Sequence, residues 1–373
     1  FKKIKDEVIS KNISLVFVGP EDPIVNGIYD FFKLDNSLKK IKIIAPSKLA
    51  GKLEGSKEFA KKFMERYSIP SAKHGTFTRD NIDQAYMFLD NMSSPYVLKA
   101  DGLAAGKGVL IIHDLEEAKQ ELRSMIFDKK FGESSSKVVI EEFLDGIELS
   151  CFVLTDGNNY KILPFAKDYK KIGEADTGLN TGGMGAISPV VFLDDVFLEK
   201  IEERIIKPTI NGIMKENMEY MGIVFIGLIK VNEDPYVIEY NVRMGDPETE
   251  VVFPRIKNDL LELFNSMGST EFANIDLIVD ERHAATVIMV SGGYPINYEK
   301  NKVITGLENI TDSIVFHAGT KKADNVFLTN GGRVLAITSL AKNYKQAIGL
   351  SYKQIEKISF EKAYFRKDIG FDL

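Results

Sequence analysis

Tryptophan is absent from these 373 residues, cysteine occurs once and histidine four times. A single cysteine, Cys151, excludes a disulfide framework and a cysteine-rich zinc site within the chain. Its plain role is that of a small buried hydrophobe. His74, His113, His283 and His317 stand at no metal-ligand spacing. No apolar run approaches the roughly 18 residues of a membrane span, and no signal peptide is visible. Positive charge is not in excess either. The formal net charge of -6 offers no broad basic surface to a nucleic-acid backbone. Neither nucleic acid nor membrane is therefore expected as a partner. What is present, 27% charged and 44% hydrophobic residues, is an ordinary globular composition. The length allows two or three domains, and a reducing, cytoplasmic compartment is expected.

The hydrophobic pattern begins as α/β. "ISLVFVG" (13–19) and "IKIIAP" (41–46) are short apolar runs suited to buried parallel strands, with the helical "IVNGIYDFF" between them. "GSKEFAKKFMERY" (55–67) places Phe59, Phe63 and Tyr67 on one helical face. Pro70 and Gly75 then break the pattern, so a boundary is expected near 70. A helix around 79–91 leads to the strand "PYVLKA", a glycine-rich loop, the strand "GVLII" and the charged helix "LEEAKQELRSMI". "KVVIEEFLDGIELSCFVLTDG" predicts two strands joined by a turn at Asp145-Gly146. "YKILPFA" is a strand, 167–190 a loop, and 193–217 a helix kinked by Pro208. "GIVFIGLIKVNEDPYVIEYNVR" reads as a hairpin, and "NDLLELFNSM" as a helix capped by Asn258. From about 283, strands separated by glycine turns precede a helix at 343–357, which suggests a small α+β domain. The amphipathic pattern is already under way at Phe1, so further N-terminal residues are expected.

Four stretches carry chemistry. "YVLKADGLAAGKGVLI" holds Lys99 in an apolar strand, where a charge is costly unless it meets an anion. A phosphate is such an anion, and the backbone N–H groups of the following glycine loop could cover more phosphates. The loop is neither a Walker A motif nor a dinucleotide fingerprint: Gly108 stands where Ser or Thr would be, and no helix follows. A plain hairpin turn is the alternative. "VVIEEFLDGIELS" ends an apolar strand on Glu141 and Glu142, with Glu148 beyond a turn. It reads either as a nucleotide hinge or as a solvated strand end. "YVIEYNVRMGDPETE" puts Glu239 and Asn241 two residues apart on one strand face. Both are hard oxygen ligands suited to Mg2+ that also touches phosphates. Arg243 follows on that face, with the two-pronged geometry of a carboxylate clamp. "DTGLNTGGMGAISP" (176–189) is rich in glycines and hydroxyls, as in a loop that a ligand or another backbone approaches closely. The preceding "KDYKKIG" adds Asp168, Lys170 and Lys171.

Together with "VGPEDPIVNG", "LEGSKEFAK", "SGGYP", "FHAGTK", "NGGRVLAIT" and "RKDIG", these stretches resemble the ATP-grasp superfamily and, within it, the phosphoribosylamine–glycine ligase family. The resemblance runs along essentially the whole chain, and "NVRMGDPETE" is its most specific block. It implies an α/β and α+β multidomain fold. A partial Rossmann-like N-terminal domain covers 1–70, an ATP-grasp lid 71–140, a central ATP-grasp subdomain 141–280 and a C-terminal α+β domain 281–373. It also implies ATP with Mg2+ or Mn2+ as cofactors, glycine and 5-phosphoribosylamine as substrates, a glycyl phosphate intermediate, and a monomer or weak dimer. Lys57 and Lys99 would hold the nucleotide phosphates, with Gly106, Lys107 and Gly108 closing over them. Glu141, Glu142, Phe143 and Leu144 would line the adenine, Glu148 would meet the ribose, and Glu239 and Asn241 would hold the metal. Arg243, Asp246 and Lys99 are the expected catalytic residues. Gly19, Pro20, Glu21, Asp168, Lys170, Gly182, Gly183, Arg243, Gly245, Asp246 and Glu248 are expected around glycine and phosphoribosylamine.

The chain departs from the family in three places. It lacks a leading "GNGGREHA"-like loop. It reads "KDYKK" (167–171) where many members read "QDHKR", and "GIVFIGLIKV" carries no acidic residue where ATP-grasp enzymes often place a first metal ligand. The alternatives are another ATP-grasp ligase or carboxylase, against which "RMGDPETE" speaks, and a nucleotide-binding regulator without turnover. Lys99, Glu239, Asn241 and Arg243, all present, speak against the regulator.

Overall fold

The computed structural model describes residues 1–103 and 108–373, the side chain of Glu133 excepted. They form two compact units. One contains Phe1–Ile162, Asp194–Met244 and Leu261–Ile275, and the other Leu163–Leu193, Gly245–Leu260 and Asp276–Leu373. Among the described residues no helix is long and apolar enough to cross a membrane.

The first unit opens with the helix Lys2–Ser10, which leads to two parallel strands, Leu15–Phe17 and Lys42–Ile44. The helical stretch between them is two helices, Glu21–Val25 and Ile28–Leu34. They are interrupted at Gly27, whose φ of 86° is left-handed backbone that glycine adopts at no steric cost. A four-stranded antiparallel sheet follows, in the order His74–Thr78, Lys137–Glu142, Tyr96–Ala100, Val109–Ile112. Tyr96, Leu98, Ala100, Val138 and Ile140 pack on the helices Ile82–Asp90 and Leu115–Phe127. Strand alternation therefore turns Lys99 and Glu141 to the opposite face. A second antiparallel sheet runs in the order Asp234–Asn241, Gly222–Val231, Ile147–Thr155, Tyr160–Ile162. The predicted pairing across Asp145-Gly146 is thus corrected. Lys137–Glu142 and Ile147–Thr155 belong to different sheets, and the turn carries the chain from one to the other. Gly146 lies against the chain there, where an added Cβ would meet the Lys230 carbonyl oxygen at 2.1 Å.

The predicted helix over 193–217 is two helices, Asp195–Ile201 and Lys207–Lys215, joined by a π turn at Glu202–Ile206. Pro208 has no N–H to give the preceding turn, and the helix widens just before it. Asn258 is not a helix cap. Its side chain donates to the Asp276 carbonyl and accepts from the Ile278 N–H.

The second unit is built on a five-stranded sheet in the order Ile314–His317, Arg333–Ala341, His283–Val290, Gly185–Ser188, Lys167–Asp168. Ile187, Val287, Leu335 and Ile337 from this sheet bury against Ala347 and Ile355 of the helix Tyr344–Ile355. The expectation of a loop over 167–190 is corrected. Its ends are sheet strands, and a small hairpin, Lys171–Gly173 with Thr177–Asn180, stands between them. Glycine and threonine content concealed strands whose partners lie about a hundred residues later: Gly185 pairs with Val287, and Ser188 with Ala284.

Candidate active site

The glycine loop is anchored at both ends. The Ala100 N–H donates to the Gly108 carbonyl (2.8 Å), and Ser134 Oγ donates to the Leu103 carbonyl (3.1 Å). Gly106 and Lys107 lie outside the described residues. Asp101 caps the helix Lys57–Arg66 from outside, accepting from the Glu58 N–H (3.1 Å) and from Ser56 Oγ. Lys57, on the first turn, reaches the Gly102 carbonyl at 3.5 Å. Lys99 meets an anion supplied by the protein. Its Nζ is 2.9 Å from Glu141 Oε2, so phosphate is not the sole partner that explains its burial. A second lysine, Lys61, reaches the same oxygen at 3.2 Å. All three residues are within 5% of full burial. Burial opposes ionisation of Glu141, yet Lys99 and Lys61 hold its carboxyl below the usual range. Burial, opposed by Glu141, pushes the Lys61 ammonium down. Glu142 is spent on backbone: its Oε1 accepts from the Lys73 N–H at 2.8 Å. Phe143 and Glu148 are exposed, and Leu144 is half-buried.

Lys61 was not among the expected site residues. Its signal was its spacing, one helical turn after Lys57 and on the Ala60–Met64 side of the helix, which proves to be the buried one.

The strand Asp234–Asn241 pairs Glu239 with Gly227 but Val237 with Leu228, so a bulge falls at Ile238. Bulges re-aim the residues that follow, here Glu239 and Asn241. These two half-buried oxygen donors fit a Mg2+ whose other positions go to phosphate and water. Among the described residues no three His, Cys, Asp or Glu side chains form a complete cation cage. Arg243 is bound on three sides. Its Nε is 3.2 Å from Glu21, its Nη2 is 3.1 Å from Glu54, and its Nη1 donates to the Met244 carbonyl. Glu21 was expected at the site; Glu54, embedded in "KLEGSK", was not. Glu54 is buried and also accepts from the Val242 N–H at 2.8 Å. Burial pushes its carboxyl up to about 7, against the pull of Arg243 and the Val242 N–H. Gly19 and Pro20 precede Glu21, which opens its short helix.

In the second unit, the Gly182 N–H donates to the Tyr294 hydroxyl, and the Gly182 carbonyl accepts from Arg333 Nη1 at 2.6 Å. Arg333 also holds Asp246, 2.5 Å from its carboxylate. Gly182 and Gly183 are required here. An added Cβ would meet the Arg333 guanidinium at 2.9 Å and Pro247 at 2.3 Å respectively. Gly245 makes the same kind of room for Glu248, whose buried carboxylate lies 2.4 Å from where a Cβ would stand. The Lys170 carbonyl accepts from both the N–H and the hydroxyl of Thr181, while its ammonium stands 4.0 Å from Asp168. Tyr294 and Arg333 were missed as individuals, although their motifs "SGGYP" and "NGGRVLAIT" had been singled out.

The fold matches that of the biotin carboxylase domain of the Hydrogenobacter thermophilus 2-oxoglutarate carboxylase, crystallised with MgADP, ADP and bicarbonate. The TM-score is 0.71 at 17% identity, over 97% of this chain and 78% of that one. That likeness is one of fold; the class, an ATP-grasp protein, is given by the ATP-grasp (A) domain model that matches residues 55–249. Three family models then match in succession: phosphoribosylglycinamide synthetase N domain over 1–54, ATP-grasp (A) domain over 55–249 and C domain over 284–372. The chain belongs to the phosphoribosylglycinamide synthetase family. It is 44% identical to the phosphoribosylamine–glycine ligase of Fusobacterium nucleatum, over 97% of this chain and 84% of that protein. The crystal structure of the Thermotoga maritima phosphoribosylamine–glycine ligase superimposes with a TM-score of 0.81 at 36% identity, over 90% of this chain and 83% of that one.

Proposed function

We propose that the chain joins glycine to 5-phosphoribosylamine at the expense of ATP, in purine biosynthesis. A glycine carboxylate oxygen attacks the γ-phosphorus, the bond to the β-phosphate oxygen breaks, and ADP leaves. The amine of phosphoribosylamine then attacks the carbonyl carbon of glycyl phosphate. Phosphate departs, the nitrogen loses a proton, and glycinamide ribonucleotide remains. The observation that carries this reading is the match of all three family domains in order, with the basic Lys61–Lys99 cluster and the Glu239–Asn241 pair intact within it.

The first step brings anions together, so catalysis rests on charge neutralisation and alignment. Lys57 and Lys99 face the nucleotide phosphates, and the loop through Lys107 and Gly108 covers them. Glu239 and Asn241 would hold Mg2+ or Mn2+, which when bound screens the phosphate oxygens. Phe143 and Leu144 line the base, and Glu148 accepts from the ribose. Arg243, held by Glu21 and Glu54, orders the glycine site. Asp168, Lys170, Gly182, Gly183, Asp246 and Glu248 serve the substrates. We place the lid at 71–140 and the reaction in the cytoplasm.

The test is ADP release by the enzyme with glycine and phosphoribosylamine. Release that needs both substrates, with glycinamide ribonucleotide as product, is expected. Background release with this pair, together with rapid release with another acid and amine, would overturn the assignment.

A further inference from the structure

Lys61 stands out among the buried charges. Its Nζ approaches Glu141 Oε2 at 3.2 Å, the oxygen that also takes Lys99 at 2.9 Å. Among the described residues its one other acceptor is the Ala72 carbonyl at 3.5 Å, the edge of hydrogen-bond range. A pair of Lys99 and Glu141 would have sufficed to bury Lys99 at neutral charge. Adding Lys61 leaves two cations on one carboxylate and a net positive charge in a nearly closed place. Glu142 attracts Lys61 more weakly, from a half-exposed position where water screens it. His74, across the sheet from Glu141, adds no negative charge, and burial disfavours its protonation. Burying a net charge is costly unless something repays it.

We propose that Lys61 is a positioning residue that keeps Lys99 available to the nucleotide. Lys61 neutralises Glu141, so the carboxylate orients Lys99 without cancelling its charge, and the trio presents one net positive charge to the phosphates. This rests on the reading of Lys99 as a phosphate contact.

Mg-ADP binding, measured by titration calorimetry on the full chain, tests both. Lys61→Met leaves a closed Lys99–Glu141 pair, and the dissociation constant should rise about tenfold, the scale of one unit charge lost about 12 Å from the phosphates at an effective dielectric of about 20. Lys61→Met with Glu141→Gln restores one net positive charge and should bind within about threefold of wild type. Lys61→Arg, which keeps the charge, should do the same. Should Lys61→Met not fold, Lys61→Gln, which removes the charge but keeps a polar end for the Ala72 carbonyl, carries the test. A folded Lys61→Met with wild-type affinity, or a double variant that fails to recover, overturns the role of Lys61. Lys99→Met separates the two readings. Weakened Mg-ADP binding keeps the nucleotide reading whatever Lys61 does, and unchanged binding overturns both.

Discussion

Replacing Glu54 by glutamine should abolish a specific pH dependence of stability. Glu54 is buried, and its carboxyl rises from 4.5 to about 7, chiefly through burial. The folded chain therefore holds a proton that the unfolded chain releases between these two values. Stability must fall as pH rises through this window and level off above about 7. The shift corresponds to roughly 3 kcal/mol at 1.36 kcal/mol per pH unit. Glutamine retains an oxygen for the Val242 N–H (2.8 Å in the wild type) and removes the charge. Urea unfolding of both proteins at pH 5, 6, 7 and 8 gives a difference curve in which other groups largely cancel. Wild type should lose about 2–3 kcal/mol relative to Glu54→Gln between pH 5 and 8. A flat difference, or a wild type that gains on the variant as pH rises, would refute the burial argument. At the same time Arg243 loses a charged carboxylate anchor, so the KM for glycine should rise in the variant above about pH 7, where Glu54 of the wild type is ionised.

Two further outcomes follow from the geometry. Glu239→Gln should lower turnover at least about a hundredfold while the melting temperature moves by less than about 2 °C, because Glu239 is half-buried and is proposed to hold the cation; unchanged Mg2+-dependent turnover would reject it as a ligand. Arg366→Ala should cost about 3 kcal/mol, since a fully buried guanidinium binds Asp368 at 2.8 Å and Asp176 at 2.6 Å. Protease cleavage within 171–180 should accelerate in that variant, and equal cleavage rates would show that the arginine does not anchor the hairpin.

What was legible in the sequence was local. The buried strands, the helix Leu115–Phe127 and the hairpin of Gly222–Val231 with Asp234–Asn241 follow from apolar runs and their spacing. What escaped needed distant partners. The strand Gly185–Ser188 is a glycine-rich stretch until His283–Val290 lies beside it. Asp145-Gly146 looks like a hairpin turn, and only the competing strands decide that its two arms go to different sheets. The same divide runs through the site. Glu239, Asn241 and Arg243 are unusual on an apolar strand and declare themselves. Lys61 and Glu54 sit in ordinary charged segments; helical spacing is the one local mark of Lys61, and nothing local marks Glu54 as buried.

The two missed residues have something in common that bears on mechanism. Each is the third member of a cluster of charges whose number is odd. Lys61, Lys99 and Glu141 sum to one positive charge, whereas Arg243, Glu21 and Glu54 sum to one negative charge when Glu54 is ionised. A protein selected for stability alone would close each cluster into a neutral pair, because every unmatched buried charge costs free energy. Both imbalances match the proposed substrates. Surplus positive charge suits a triphosphate, and surplus negative charge beside a guanidinium suits glycine, whose ammonium needs an anion while its carboxylate needs a cation. With the Glu54 carboxyl near 7, the second cluster sheds its surplus just below neutrality. The KM for glycine should therefore rise as pH falls from 8 to 6. The Mg-ADP dissociation constant, set by lysines and by a carboxyl held below its usual range, should stay level over the same interval. Parallel shifts in both constants would mean that the two clusters do not divide the substrates in this way.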